Sequence, residues 1–345
     1  MMDAAVLGAT GLVGQRFIEF LDKHPWFKVT KVAASERSSS KKYRDAVNWK
    51  LIHRLPEDVA ELEVLPIDPK AVGDVGVVFS ALPADIAMKI EEDFARAGFV
   101  VVSNASAHRM ETDVPILNPE ANWSHVELID VQRRNRKWDG AIVTNPNCST
   151  AVLTLSLKPI LDTVGIRKIA VTTMQALSGA GYPGVPSLDI VDNVIPFIES
   201  EEEKLSRESV KILGAAGKPA DFQLTASCNR VATLDGHLES VFVQTEKATD
   251  AATVMKTLEN FTSEPQRLAL PTAPKKPVVV RMERDRPQPR LDRMEGNGMA
   301  VVVGRVRDDP VVGGVKYIVL GHNTIRGAAG VGVLNAELLK AKKYI

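Results

Sequence analysis

The segment Thr144-Asn145-Pro146-Asn147-Cys148-Ser149-Thr150 sets a cysteine between a short apolar strand, Ala141 to Val143, and a helix-like run, Ala151 to Leu161. A thiol entering a helix meets unpaired N–H groups and the positive end of the peptide dipoles. Both favour the thiolate, so the spacing predicts a lowered pKa and a nucleophile at neutral pH. A cysteine in a Pro turn also reads as a small buried hydrophobe, but the polar frame of Asn147, Ser149 and Thr150 favours chemistry. A working thiol needs a proton acceptor, and such partners meet in space rather than in sequence. Six histidines are available. His24 and His53 lie on apparent surface segments, His125 in a connection, and His108 and His322 in loops. His237 follows Asp235-Gly236 at the start of a strand, with Arg230 upstream, and is the candidate partner.

The elements that must position this pair begin at the N-terminus. Ala4 to Leu7 reads as a strand and Gln15 to Leu21 as an amphipathic helix, with Gly8-Ala9-Thr10-Gly11-Leu12-Val13-Gly14 between them. Strand, glycine loop and helix in this order form a dinucleotide-binding unit. Gly8 permits the turn, Gly11 lets backbone N–H groups approach a pyrophosphate, and Gly14 allows helix and strand to pack closely. The second strand, Lys28 to Ala34, runs into Ser35-Glu36-Arg37-Ser38. Arg and hydroxyl donors suit a ribose 2′-phosphate, so Ser35, Arg37 and Ser38 point to NADP; Glu36 is the departure, since an acidic residue here suits NAD.

Further strands, Val75 to Ser80 and Phe99 to Ser103, alternate with a helix from Ile86 to Ala97. That alternation predicts a doubly wound parallel sheet of Rossmann type, whose ligands lie at the carboxyl ends of its strands. Arg109, just beyond the fourth such end, is a candidate anion clamp. After Cys148 the pattern changes to longer runs, Arg167 to Gln175, His237 to Thr245, Pro277 to Met282, Met299 to Val306 and Lys316 to Leu320. These read as antiparallel strands of a second, α+β domain. The nucleophile thus falls at the seam, and Ser178-Gly179-Ala180-Gly181 reads as a loop of close approach.

At 345 residues, two domains are the default. Lys+Arg and Asp+Glu both number 43, so no global field favours nucleic acid or an anionic membrane. Two cysteines build no disulfide framework, and Cys228 reads as structural. With no transmembrane run and no signal-peptide pattern, a cytoplasmic protein is expected. No metal site is expected, because the His and Cys lack ligand spacing.

Taken together, Gly8-Ala9-Thr10-Gly11-Leu12-Val13-Gly14, Asn145-Pro146-Asn147-Cys148-Ser149-Thr150, Gln175-Ala176-Leu177-Ser178-Gly179-Ala180-Gly181, Glu201-Glu202-Glu203-Lys204, Arg230 with Gly236-His237, and Asn323-Thr324-Ile325-Arg326-Gly327-Ala328-Ala329 resemble the aspartate-β-semialdehyde dehydrogenase family, in its archaeal and fungal branch. The resemblance spans essentially the whole chain. It implies an α/β fold with a Rossmann-type NADP-binding domain, residues 1–147 completed by 325–345, and a catalytic and dimerisation domain, 148–324. It implies reversible, NADP-dependent reductive dephosphorylation of aspartyl phosphate to aspartate semialdehyde through a Cys148 thioester cleaved by inorganic phosphate.

In that scheme Cys148 is the nucleophile, His237 the acid/base, and Gln175 orients the substrate carbonyl, with Asn147 beside the nucleophile. Arg230 clamps the substrate carboxylate, Glu201 meets its ammonium, and Lys204 and Arg109 bind phosphate. Gly8, Thr10, Gly11, Leu12, Val13, Gly14, Ser35, Arg37, Ser38, Ser178, Gly179 and Asn323 contact the cofactor. A homodimer or homotetramer is implied. Malonyl-CoA reductase is the nearest alternative, distinguished by Asn147 and Ser149-Thr150. N-acetylglutamyl-phosphate reductase fits less well, since its nucleophile typically has Gly before it and Tyr after it. A Cys-His acyl hydrolase and a non-catalytic dinucleotide sensor are readings of different classes.

Overall fold

The computed structural model describes residues Met1 to Ile345. Six strands, β1 (Met2–Leu7), β2 (Phe27–Ala33), β3 (Val64–Leu65), β4 (Val77–Ser80), β5 (Val100–Ser103) and β6 (Ala141–Thr144), form one parallel sheet in the order β3-β2-β1-β4-β5-β6. All four residues of β4, β5 and β6 are buried. Helices cover both faces, which is why these strands read as continuous Val/Ile runs rather than as alternating ones. Helices α1 (Leu12–Leu21), α2 (Ala84–Arg96) and α3 (Leu128–Arg136) make the crossovers. The strand order reverses between β1 and β4, which opens the ligand crevice at their carboxyl ends.

Helix α4 (Cys148–Val164) leaves β6 and buries Val152, Leu153, Leu155 and Ile160 in a second core with Val241, Val243 and Val319. The second sheet is made of β7 (Ile166–Gln175), β8 (Gln223–Arg230), β9 (His237–Thr245), β10 (Val278–Arg281), β11 (Val301–Asp309) and β12 (Gly314–Gly321), in the order β10-β11-β12-β9-β7-β8. It is mixed, not antiparallel throughout as expected: β8 runs parallel to β7, and β10 parallel to β11. A parallel neighbour needs a long crossover, and residues 176–222, carrying helix α5 (Glu201–Leu213), supply it. Strand β8, absent from the sequence reading, is thereby brought into register with β7, and Gln175 pairs with Arg230. Strand β9 is antiparallel to β7, so its first residue, His237, arrives at the same end.

Helix α6 (Ala251–Glu259) starts from Asp250, whose side chain accepts the Thr253 N–H. Helix α7 (Gly330–Ala341) returns to the first sheet, where Val333, Leu334 and Leu338 join Phe17, Phe27 and Phe79 in one core. That core also takes Leu270 and Met299, so residues from within 148–324 contribute to it. His24 is not on the surface as expected: it is buried, with Nε2 2.7 Å from Glu337 of α7. His108, His125 and His322 are buried as well.

Arg326 pins the turn that leads into α7. It is wholly buried, and its guanidinium donates to both oxygens of Glu120, at 2.9 and 2.6 Å, and to Asn118. Removing one partner of a buried pair strands the other charge. Arg326→Met is therefore expected to lower unfolding stability by about 3–5 kcal/mol, read as a fall in denaturant midpoint. The same change at exposed Lys89, paired with Asp93, should shift stability by less than about 1 kcal/mol.

Candidate active site

Cys148 is the first residue of α4, and Asn147 is its N-cap. The Asn147 side-chain oxygen accepts the N–H groups of Ser149 and Thr150, and its Nδ2 donates to both oxygens of Glu201, at 2.9 and 3.0 Å. Asn147 is thus fully used in holding the helix start. Its amide oxygen shares the Ser149 N–H with the sulfur, whose pKa that group still pulls down, and takes the Thr150 N–H.

The Cys148 sulfur lies 3.1 Å from His237 Nε2. On the other side of the ring, Nδ1 accepts the Ala176 backbone N–H at 3.1 Å. A nitrogen that accepts a hydrogen bond carries no proton, so the neutral imidazole presents Nε2–H to the sulfur. Burial, Arg230 and His322 push His237 down to about 3. Burial and the nearby Glu201 carboxylate push the Cys148 thiol up to about 12, against the pull of Arg109 and Arg230. The lowered pKa predicted from the helix terminus is therefore overturned: at neutral pH the resting pair is thiol and neutral imidazole.

The carbonyl of Ala176, whose N–H holds His237, accepts from Arg230 Nη1 at 2.8 Å. One residue therefore sets both side chains. Gly179 crosses directly over them, where a Cβ would sit 2.7 Å from Arg230 Nη1 and 3.0 Å from the imidazole. Gly327 meets Cys148 in the same way, a Cβ there falling 2.7 Å from the cysteine Cβ. These contacts explain the small residues at both sites.

Among the three consecutive glutamates, Glu201 faces the site. It is buried and accepts from Asn147, from Gln175 Nε2 at 3.2 Å and from Lys204 at 3.4 Å. Glu202 instead accepts the Cys228 N–H, and Glu203 is exposed. Arg109 is buried rather than on the surface; it donates to Glu208 at 3.0 Å and to the Asn104 carbonyl at 2.9 Å. Asn323 donates to the Ser178 hydroxyl at 2.8 Å and accepts the Gly236 N–H at 2.8 Å. Ala176 and Glu208 had no signal in the sequence: one acts through its backbone, and the other lies on a helix whose opening reads as a solvated face.

A cleft of about 340 Å³ joins these groups. Cys148, Asn147, Gln175, Arg230, Glu201, Lys204, Arg109, Ser178, Gly179 and Asn323 line it, with Leu12 and Val13 from the glycine loop. Gly8, Thr10, Gly11 and Gly14 complete that loop outside the lining set. Gly8 adopts φ +70°, and a Cβ on Gly14 would fall 2.3 Å from the Gly8 carbonyl oxygen. A Cβ on Gly11 would meet only that oxygen, at 3.4 Å, so the fold itself does not demand glycine there. Gly11 caps α1 without a side-chain acceptor, leaving the first N–H groups of the helix for a pyrophosphate. The Tyr43 hydroxyl secures the loop through the Ala9 carbonyl at 2.7 Å. Ser35 and Arg37 are exposed and Ser38 half-buried in the turn after β2, outside the cleft. The loop thus fits a dinucleotide phosphate, and the turn leaves Arg37 free to meet a further one.

Comparison with known proteins matches two segments of the chain. Residues 3–129 match the NAD binding domain of semialdehyde dehydrogenase, and residues 157–326 its dimerisation domain. The chain is 54% identical to the aspartate-semialdehyde dehydrogenase of Methanothermobacter thermautotrophicus, over 98% of its own length and 99% of the relative's. It is 44% identical to the malonyl CoA reductase (NADP) of Metallosphaera sedula, over 100% and 98% of the two chains. Aspartate semialdehyde dehydrogenase with NADP from Candida albicans superposes with a TM-score of 0.92 at 42% identity, covering all of both chains. With a cleft that joins the glycine loop at Leu12 and Val13 to the capped cysteine, and an imidazole buried against that cysteine's sulfur, the chain belongs to the aspartate-semialdehyde dehydrogenase family.

Proposed function

We propose that the protein is an NADP-dependent aspartate-semialdehyde dehydrogenase, which interconverts L-aspartyl 4-phosphate and L-aspartate 4-semialdehyde in lysine, threonine and methionine biosynthesis. The observation that carries the reading is the Cys148 sulfur 3.1 Å from His237 in a cleft that also holds Arg230, Glu201, Lys204 and Arg109. A small zwitterion with one reactive carbonyl and a phosphate partner matches that set of charges. Arg230 suits the α-carboxylate, Glu201 the ammonium, and Lys204 with Arg109 the phosphate. Higher identity to the dehydrogenase than to malonyl CoA reductase, 54% against 44%, favours the semialdehyde over the thioester substrate.

NADP, when bound, accepts or returns the hydride. In the oxidative direction the Cys148 sulfur bonds to the aldehyde carbon as its proton passes to the carbonyl oxygen, and that hydroxyl proton is the one released when hydride leaves. His237 Nε2–H donates to the oxygen that becomes charged and holds it while hydride leaves and the thioester forms. Phosphate then attacks the thioester carbon, and the leaving sulfur takes up the proton that phosphate gives up, which restores the thiol. The geometry supports the donating half of the acid/base role. For Nε2 to accept a proton, the Ala176 N–H bond to Nδ1 must first break. Gln175 has committed its Nε2 to Glu201 and Thr173, so its carbonyl oxygen is the end available to substrate.

Residues 1–147 with 325–345 would carry the cofactor and 148–324 the chemistry. A cytoplasmic homodimer or homotetramer fits a chain with no helix long and apolar enough to cross a membrane and with Leu188, Val191, Val194 and Phe197 all exposed on one stretch.

Wild-type protein is expected to reduce NADP with aspartate semialdehyde and phosphate, and to leave malonyl-CoA with NADPH untouched. Cys148→Ala should abolish turnover while keeping NADP affinity within about twofold; retained turnover would remove the covalent scheme. Arg37→Ala should raise the KM for NADP about tenfold and leave that for NAD nearly unchanged. Equal losses for both would show that Arg37 does not read the 2′-phosphate. Because the thiol pKa lies far above neutrality, iodoacetamide should alkylate Cys148 of the ligand-free protein about tenfold faster per unit rise between about pH 6 and 9. A plateau below about pH 8 would reveal a preformed thiolate.

A further inference from the structure

Helix α5 places Glu201, Lys204, Glu208 and Lys211 three and four residues apart, on one face. Glu208 is only 2% exposed. One of its oxygens accepts from Arg109 Nη1 at 3.0 Å, and the other accepts the backbone N–H of Asn147 at 2.6 Å. These partners come from different loops, Arg109 after β5 and Asn147 after β6, the latter one residue before the nucleophile. One turn further along, Lys211 Nζ donates to the carbonyls of Arg109, Glu111 and Val114, at 2.6, 2.7 and 2.7 Å, fixing the backbone of the Arg109 loop. Arg109 retains a buried Nε with no partner, and the side chain lines the cleft.

We propose that Glu208 is a positioning residue that sets the distance between the phosphate-binding guanidinium of Arg109 and the Cys148 sulfur. The inference rests on the dehydrogenase reading above and deepens it, by naming what aligns phosphate for attack on the thioester. Only a glutamate serves both contacts. Each oxygen faces a donor, so glutamine, with one oxygen and one NH₂, must turn one contact into donor against donor. Aspartate keeps the charge but withdraws it by one methylene. A buried carboxylate at this point is tolerated because both of its partners are in place.

The test uses the full-length enzyme with inorganic phosphate as probe. In Glu208→Gln, the phosphate concentration that half-saturates turnover, and that which half-protects Cys148 from iodoacetamide, should each rise about tenfold, the equivalent of one charge-assisted hydrogen bond. NADP affinity, read by fluorescence titration, should change by less than about threefold. In an Arg109→Met background the same substitution should be neutral or restorative, because its effect passes through that guanidinium. If Glu208→Gln does not fold, Glu208→Asp carries the same split between phosphate and NADP. An unchanged phosphate dependence, an equal loss for both ligands, or a full additional loss in the Arg109→Met background would overturn the inference. Phosphate protection without any turnover of the semialdehyde would instead count against the dehydrogenase reading alone.

Discussion

A carboxylate taken out of water must find donors, and at the seam between the two sheets this requirement decides which loops meet. Glu201 is satisfied by the Asn147 amide, Gln175 and Lys204, and Glu208 by Arg109 and the Asn147 backbone. Both acids belong to α5, the crossover that the parallel pairing of β7 with β8 makes necessary. The topology of the second sheet therefore delivers the charges that hold the end of the first. Asn147 is the joint: its backbone N–H, its amide oxygen and its amide nitrogen are all engaged.

Burial comes first in the state of the sulfur, and the same joint adds to it. A helix N-terminus lowers a thiol pKa through free N–H groups and partial charge, and the Ser149 N–H still pulls that way, but burial and the Glu201 carboxylate that the cap brings close outweigh it. On the far side, the Ala176 N–H occupies His237 Nδ1, so a second proton on the ring would stand against a donor. A thiolate–imidazolium pair is thereby disfavoured at both ends. The protein instead keeps a neutral pair beside two arginines, Arg109 and Arg230, which in the proposed scheme meet the anionic substrates and the negative charge that develops during reaction.

Local patterns were legible in the sequence, and so was the Cys148–His237 pair, whereas the buried carboxylates that join the loops across the seam were not. Strand β9 begins and ends where its alternation predicts, at His237 and Thr245. Gly8 and Gly14 carry the steric duties read from their spacing. Strand β8 escaped because its exposed residues, Gln223, Thr225 and Ser227, resemble a loop. The burial of α5 escaped because Glu201 to Lys204 reads as a solvated helix face, and the burial of Glu201 and Glu208 depends on partners more than fifty residues away. His24 misled for the same reason, since its partner Glu337 lies on the returning C-terminal helix.

The three glycines of the first loop separate what folding requires from what a ligand requires. A side chain on Gly8 or Gly14 collides with the protein's own backbone, so those positions would be glycine in any chain that makes this turn. Gly11 is different, for the space its Cβ would fill is bounded by the Gly8 carbonyl only at van der Waals distance. A glycine where the fold leaves room gives that room to an occupant from outside, and the uncapped start of α1 beside it offers the N–H donors that a pyrophosphate accepts. Cys148 makes the complementary case: its neighbour Gly327 is required by the sulfur-bearing residue itself. Gly11 alone is thus left to a ligand, while Gly8, Gly14 and Gly327 answer to the packing that surrounds them.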